Sequence, residues 1–243
     1  MSDDLNNPQT TKWRSYPDGK NQLIELSVFL FLILPSLVFS FFIAGQGNVN
    51  FILISSSTIL RDLSLVSLIL FFIRRNGEPV SAIGWTTRNF LREVGLGIVL
   101  FIPSFFAAGV LESLLHKAGL SAPSTPLPAL VSEKGLTEFL LAFLMVVVVA
   151  FAEETIFRGY LMLRFTSITA SPAAAVFLSA VIFSLGHGYE GTASVVTIGF
   201  LGAFWALIYL WRRSLTSLFV MHFLQDFIGI VLVPLLRQLN HHP

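Results

Sequence analysis

Residues 136–167 read LTEFLLAFLMVVVVAFAEETIFRGYLMLRFTS and form the longest apolar segment of the chain. Its uncharged run 139–152 takes up about 21 Å along a helix, out of a hydrocarbon layer about 30 Å thick. Glu153, Glu154 and Arg158 follow before the apolar segment ends. Because a charged side chain is costly inside a membrane, such residues indicate a functional site by default. The stretch therefore predicts a transmembrane helix that carries ionisable groups at membrane depth.

The rest of the chain also has the composition of a membrane protein. Of its 243 residues, 54% are apolar and 12% are charged, and the mean hydropathy is +0.77. Soluble domains have about 45–50% apolar and about 25% charged residues, so a soluble enzyme is excluded. The net charge of +1 lacks the excess of positive charge that nucleic-acid binding requires. The absence of cysteine excludes disulfides, thiolate metal sites and a cysteine nucleophile.

Seven segments are apolar and long enough to cross a bilayer, which needs roughly 20 residues. They cover about 23–44, 51–73, 93–115, 136–167, 172–189, 192–211 and 215–236. We predict an all-α, polytopic transmembrane helical bundle of about seven spans, or eight if a further segment inserts. In this organisation residues 1–20 form a polar N-terminal tail, residues 21–236 one membrane domain, and residues 237–243 a short C-terminal tail.

The basic residues are unequally distributed between the two sides of this bundle. Most of the fifteen lie in the loops on one side, whereas the other side carries Lys117, Lys134 and Arg237. The positive-inside rule therefore predicts an integral protein of the cytoplasmic membrane with a cytoplasmic N-terminus. Seven spans would place the C-terminus outside, and an eighth would reverse that side. Segment 81–92 carries apolar side chains among polar ones, which predicts a position at the membrane interface.

The first of three ionisable clusters is Glu153-Glu154-x-x-x-Arg158. Glu154 and Arg158 are four residues apart with the acid first, the favourable order for an ion pair on one helix face. Glu153 then points elsewhere and is not neutralised by that pair, as a catalytic base requires. We predict that Glu154 and Arg158 form a supporting pair and that Glu153 lies in the cavity of the site.

The other two clusters lie on later spans and also have helical spacing: Phe183-x-x-x-His187 and His222-x-x-x-Asp226. His222 and Asp226 share one helix face and can act on the same bound atom. Glu153 and His187 are each about 25 Å from the hairpin turn that is predicted near residue 170. By the same rise per residue, His222 lies about 13 Å from the cytoplasmic face. We expect the three clusters to meet at one depth in the membrane.

These three motifs, in this order on successive hydrophobic helices, resemble the CAAX-prenyl-protease and bacteriocin-processing (Abi) family of intramembrane endopeptidases. The resemblance covers roughly residues 135–236, which would form the protease-like core. It implies an enzyme that hydrolyses a peptide bond of a membrane-associated substrate with an activated water. The implied partners are the lipid bilayer and a membrane-associated or prenylated peptide.

The resemblance also implies roles for four residues. Glu153 and His187 would activate the water, while His222 and Asp226 would stabilise the oxyanion or complete a metal site. The family often has Asn at the position of Asp226, and an ionised Asp cannot donate a hydrogen bond to an oxyanion. Asp226 could instead orient His222, which then becomes the donor. The favoured interpretation requires no cofactor, but Glu153, His187 and His222 would also make a Zn²⁺ site, so metal dependence stays open.

Other functions fit parts of the same sequence. A non-proteolytic immunity or scaffold protein would keep its phenotype when Glu153 is replaced by Gln. A proton-coupled transporter would use an intramembrane Glu–His chain, although the sequence has no internal repeat. A serine protease is disfavoured because no Gly-x-Ser-x-Gly motif occurs. The neighbours Arg61 and Asp62, within the second span, fit both a bundle contact and a role at the site.

Overall fold

The computed structural model describes residues 19–43, 51–122, 136–233 and 235–236. Within these ranges the regular structure is helical and contains no strand, which confirms the all-α prediction. The α-helices are α1 (Gly19–Ile43), α2 (Phe51–Arg75), α3 (Phe90–Lys117), α4 (Leu136–Glu153), α5 (Met162–Thr169), α6 (Pro172–Leu185), α7 (Thr192–Arg212) and α8 (Thr216–Asp226). Two π-helices accompany them, namely π1 (Glu154–Leu161) between α4 and α5, and π2 (Phe227–Leu232) after α8. The predicted C-terminal tail and most of the predicted N-terminal tail lie outside the described residues.

Five described helices are long and apolar enough to cross a membrane: Gly19–Val38 of α1, then α2, α3, the continuous helix Leu136–Thr169, and α7. Two further apolar helices, Pro172–Leu185 and Thr216–Leu232, are shorter. Each of the seven predicted segments therefore contains a helix, and the chain is suited to an integral membrane position. The number of spans, seven or eight, stays a prediction.

The turn between α5 and α6 lies where the sequence predicts it. Ala170 adopts a left-handed conformation with φ of 52° and ends α5. The Ser171 hydroxyl accepts a hydrogen bond from the Ala174 backbone N–H at 3.2 Å, and Pro172 occupies the first position of α6. Serine as N-cap and proline in the first turn are the residues that a helix start favours.

The core is built around π1. The ring of Tyr160 is fully buried, with its centroid 5.0 Å from that of Phe29 in α1 and 6.3 Å from that of Phe72 in α2. Elsewhere the backbones come very close, since a Cβ at Gly97 of α3 would lie 2.6 Å from the Ser217 carbonyl oxygen of α8. Small residues permit such close approach between membrane helices.

The first half of the segment after α2 packs into the bundle, and its position at the membrane interface stays a prediction. Ile83 is fully buried. The indole Nε1 of Trp85 donates to Thr155 Oγ1 at 3.1 Å, and the ring packs against Phe151. A Cβ at Gly159 would lie 2.8 Å from the Ile83 carbonyl oxygen. This close approach packs the segment directly against the backbone of π1.

A buried ionic cluster ties α5 to the segments around α1 and α2. The guanidinium of Arg164 donates to both carboxylate oxygens of Glu78, each at 2.7 Å. Glu25 of α1 lies 3.6 Å from Arg164 and accepts a hydrogen bond from Asn76 at 2.9 Å. Removing one partner of such a buried network leaves an uncompensated charge, so the cluster locks these elements together.

Candidate active site

Three buried charged side chains connect π1 with α8. Arg158 Nη1 donates to Glu154 Oε1 at 2.9 Å, and His222 Nδ1 lies 2.8 Å from the same oxygen. Because an ionised carboxylate only accepts hydrogen bonds, Nδ1 of His222 is the donor. Glu154 therefore fixes the orientation of the imidazole and directs its Nε2 towards the rest of the cluster. The sequence predicts the pair within the helix, but it does not predict that Glu154 also holds His222.

Aromatic rings cover the guanidinium of Arg158. Its central carbon lies 4.1 Å from the centroid of the Phe183 ring and 5.3 Å from that of Trp205. The Trp205 ring also packs on His222, with 5.4 Å between the centroids. Only 1% of the Arg158 side chain is exposed. Arg158 is thus positioned to compensate the charge of Glu154 and is closed off from a substrate.

Two carboxylates lie beside the second nitrogen of His222. Its Nε2 is 3.7 Å from Glu153 Oε2 and 3.5 Å from Asp226 Oδ2. Both distances exceed those of a good hydrogen bond, so the three groups converge without satisfying one another. Glu153 and Asp226 are 19% and 20% exposed, whereas His222 is buried. Among the described residues, Glu153 Oε2 has no hydrogen-bond partner.

Each of these two carboxylate residues is followed by a π-helix. α4 ends at Glu153 and π1 begins at Glu154, while α8 ends at Asp226 and π2 begins at Phe227. In π1, the hydroxyl of Ser179 in α6 donates to the Phe157 carbonyl at 2.8 Å, which ties the altered backbone to its neighbour. π-Helical turns are rare and occur frequently at functional sites. Nothing in the hydropathy pattern of the sequence predicts them.

His187 lies just beyond the end of α6 and approaches the cluster from another direction. Its Nδ1 is 3.1 Å from the Phe183 carbonyl oxygen, which accepts the hydrogen bond and leaves Nε2 for other contacts. The imidazole packs against the ring of Phe183, with 5.0 Å between the centroids, and stacks on Tyr189 at 6.2 Å. The imidazole lies within electrostatic range of the carboxyl groups of Asp226 and Glu190. The structure thus brings the predicted residues Glu153, His222 and Asp226 together, with His187 in electrostatic range of Asp226.

Glu190 joins the site from the short turn Gly188–Glu190, and no sequence motif indicates a role for it. Burial raises the pKa of its carboxyl above the ordinary value of 4.5, while the charge of His187 acts in the opposite direction. A Cβ at Gly188 would overlap the ring of Phe41 in α1, so only glycine fits at this position. This close approach fixes the turn beside His187.

Asp62 of α2 is a second acidic neighbour. It is buried, and its Oδ1 accepts a hydrogen bond from Arg61 Nε at 2.9 Å. Its charge interacts with those of Glu153 and His222. Asp62 is therefore within electrostatic range of the site, and Arg61 is paired with it.

The described part of the chain contains no group of three or more His, Asp or Glu side chains arranged to hold a metal ion. Nδ1 of His222 contacts Glu154, and Nδ1 of His187 contacts the Phe183 carbonyl oxygen. Zinc dependence through Glu153, His187 and His222 stays a prediction.

Residues 135–228 match the family model of the Type II CAAX prenyl endopeptidase Rce1-like proteins. The matched range contains all three motifs, which confirms the family resemblance seen in the sequence. No curated protein and no solved structure matches the chain. Together with five helices able to cross a membrane, the family match supports a membrane-embedded protease.

Proposed function

We propose that this chain is an intramembrane endopeptidase of the CAAX-processing type, in which Glu153 activates the water that hydrolyses a peptide bond. One observation carries the proposal: Glu153 and Asp226 both lie close to Nε2 of the buried His222. Glu154 binds the other ring nitrogen, Nδ1. The match of the endopeptidase family model to the range containing these residues supports it.

Glu153 has the properties that a general base requires. It is partly exposed, and its Oε2 has no hydrogen-bond partner in the described residues. The neighbouring Glu154 takes the contact with Arg158, so Glu153 is not neutralised by that guanidinium. In the proposed reaction Glu153 takes one proton from water as the oxygen attacks the peptide carbonyl carbon. The same proton then passes to the amide nitrogen as the C–N bond breaks.

The two histidines have separate parts in this scheme. His187 Nε2 accepts a hydrogen bond from the attacking water and orients it. A doubly protonated His222 donates from Nε2 to the oxyanion of the tetrahedral intermediate, because Nδ1–H is held by Glu154. The carboxylates of Glu154, Glu153 and Asp226, at 2.8, 3.7 and 3.5 Å from the ring nitrogens, compensate the charge of that imidazolium.

The substrate we propose is a membrane-associated peptide, with a prenylated C-terminus as the first candidate. We also propose that the N-terminus of the chain is cytoplasmic and that the site is reached from that side of the cytoplasmic membrane. The paired arginines Arg74 and Arg75 at the end of α2, and Arg212 at the end of α7, support this orientation through the positive-inside rule.

The test is cleavage of a farnesylated CAAX-type reporter peptide by the purified full chain in lipid nanodiscs, with the products identified by mass spectrometry. Wild type, Glu153→Gln and His187→Ala are compared, each with and without a chelator. We expect cleavage by the wild type and its loss in both variants, while circular dichroism shows intact helices. Equal cleavage by wild type and Glu153→Gln would contradict the mechanism. A folded wild type that cleaves no membrane-associated peptide would favour the non-proteolytic immunity or scaffold function.

A further inference from the structure

Arg61 is an exposed cation in the middle of a membrane-spanning helix. At about 1.5 Å per residue it lies about 15 Å from the start of α2 and about 21 Å from its end. Its side chain is 52% exposed. The other arginines that lie inside described helices away from their ends, Arg158 and Arg164, are 1% and 0% exposed. A guanidinium left open at this depth is costly unless an anion or a water-filled cavity receives it.

Asp62 occupies only one edge of this guanidinium. Arg61 Nε and Nη2 both lie 2.9 Å from the same oxygen, Asp62 Oδ1. A guanidinium has five N–H donors in a planar fork. Within the part of the chain that the structure describes, the edge that includes Nη1 is therefore open to a second planar anion. Because Asp62 is buried and anchored in α2, it holds the fork in place for such a ligand.

The fork is adjacent to the proposed reaction centre. The charge of Asp62 interacts with those of Glu153 and His222, and α2 packs against α4. The site is otherwise rich in carboxylates, which repel an anionic substrate. Arg158 cannot compensate for this, because Glu154 and two aromatic rings enclose it. Among the described residues near the site, Arg61 is therefore the arginine whose guanidinium an incoming carboxylate can reach.

We propose that Arg61 binds the C-terminal carboxylate of the peptide substrate through the free edge of its guanidinium, and so selects peptides that end a few residues beyond the cleaved bond. This inference rests on the proposed function. A lipid phosphate lies in the headgroup layer and not at the depth of Arg61. A short extended peptide of about three residues spans about 10 Å, a separation suited to a residue next to the reaction centre.

The experiment compares three versions of one farnesylated reporter peptide: with a free C-terminal carboxylate, with a C-terminal amide, and with an amide plus a glutamate as last residue. Binding of fluorescent peptides to the full chain in nanodiscs is measured in the Glu153→Gln background, where cleavage does not interfere. Cleavage is measured with Glu153 intact. Each assay is run with Arg61 present, with Arg61→Lys, which keeps a charge beside Asp62, and with the double variant Arg61→Gln/Asp62→Asn, which leaves no unpaired charge.

With Arg61 present we expect the free carboxylate to be preferred over the amide by about 10- to 100-fold in binding and in kcat/KM. Arg61→Lys should retain part of this preference and the double variant none. If the preference for the free acid over the amide is the same with Arg61 and in the double variant, the inference is overturned. If the amidated peptide that ends in glutamate binds as well as the free acid, Arg61 recognises any nearby carboxylate and not the C-terminus. That result also overturns the inference. Arg61-dependent binding without cleavage would leave the carboxylate site standing and refute the proposed protease function.

Discussion

Replacing Glu154 by Gln tests two roles of this residue: its contribution to stability and its positioning of His222. Glu154 Oε1 accepts hydrogen bonds from both Arg158 and His222, and all three side chains are buried. The substitution leaves Arg158 as an uncompensated buried charge, which costs about 3–5 kcal/mol of the free energy of unfolding. It also weakens the hydrogen bond that orients His222, an interaction of about 1.5–3 kcal/mol when one partner is charged.

The matched control is the double variant Glu154→Gln/Arg158→Met, which removes both charges at similar volume. Replacing a whole buried ion pair is often neutral for stability, so we expect the double variant to regain most of the lost free energy of unfolding. It should not regain activity, because His222 still lacks its charged acceptor. Reversible unfolding in SDS gives the stability, and hydrolysis of the reporter peptide gives the activity. Full activity in the stable double variant would refute the role of Glu154 in positioning His222.

Three further predictions concern other parts of the structure. Arg164→Ala should lower the free energy of unfolding by about 3–5 kcal/mol, since it leaves Glu78 and Glu25 buried without their cation; an SDS unfolding curve equal to that of wild type would contradict this. Gly97→Ala should cost about 1–3 kcal/mol, because the new Cβ would lie 2.6 Å from the Ser217 carbonyl oxygen; Gly95→Ala, which meets nothing within 4 Å, is the matched control. The raised pKa of Glu190 means that the folded state holds this proton more tightly than the unfolded state. The contribution of Glu190 to stability is therefore fully present below pH 4.5 and is lost as the pH rises from 4.5 to the raised value. Glu190→Gln should remove that decline, and an unchanged pH profile of stability would show that Glu190 does not cause it.

The helices could be predicted because each is an almost uninterrupted apolar run, and the turn near Ala170 because Ser171 and Pro172 are strong signals for a helix start. The segment after α2 could not. Its apolar residues suit an interface as well as a core, and hydropathy alone does not predict the tertiary contacts of Ile83 and Trp85 with the bundle.

The members of the site could be predicted from helical spacing, but not all of their partners could. Spacing places Glu154 beside Arg158 and His222 beside Asp226, because both pairs lie within one helix. The contact of Glu154 with His222 joins helices distant in sequence, and so does the interaction of Asp62 with Glu153. The hydrogen-bond register of π1 and π2 likewise depends on tertiary contacts that hydropathy does not report.

The single-turnover rate of Glu153→Gln on the farnesylated reporter, set against that of Glu138→Gln, tests the role of Glu153 most directly. Both exchanges remove one carboxylate from the same helix, but Glu138 lies in the first turn of α4, about 22 Å along the helix from Glu153. We expect Glu153→Gln to reduce the rate by about 10²–10⁴-fold and Glu138→Gln to leave it within about twofold of wild type. Equal rates in the two variants would show that Glu153 is not the base.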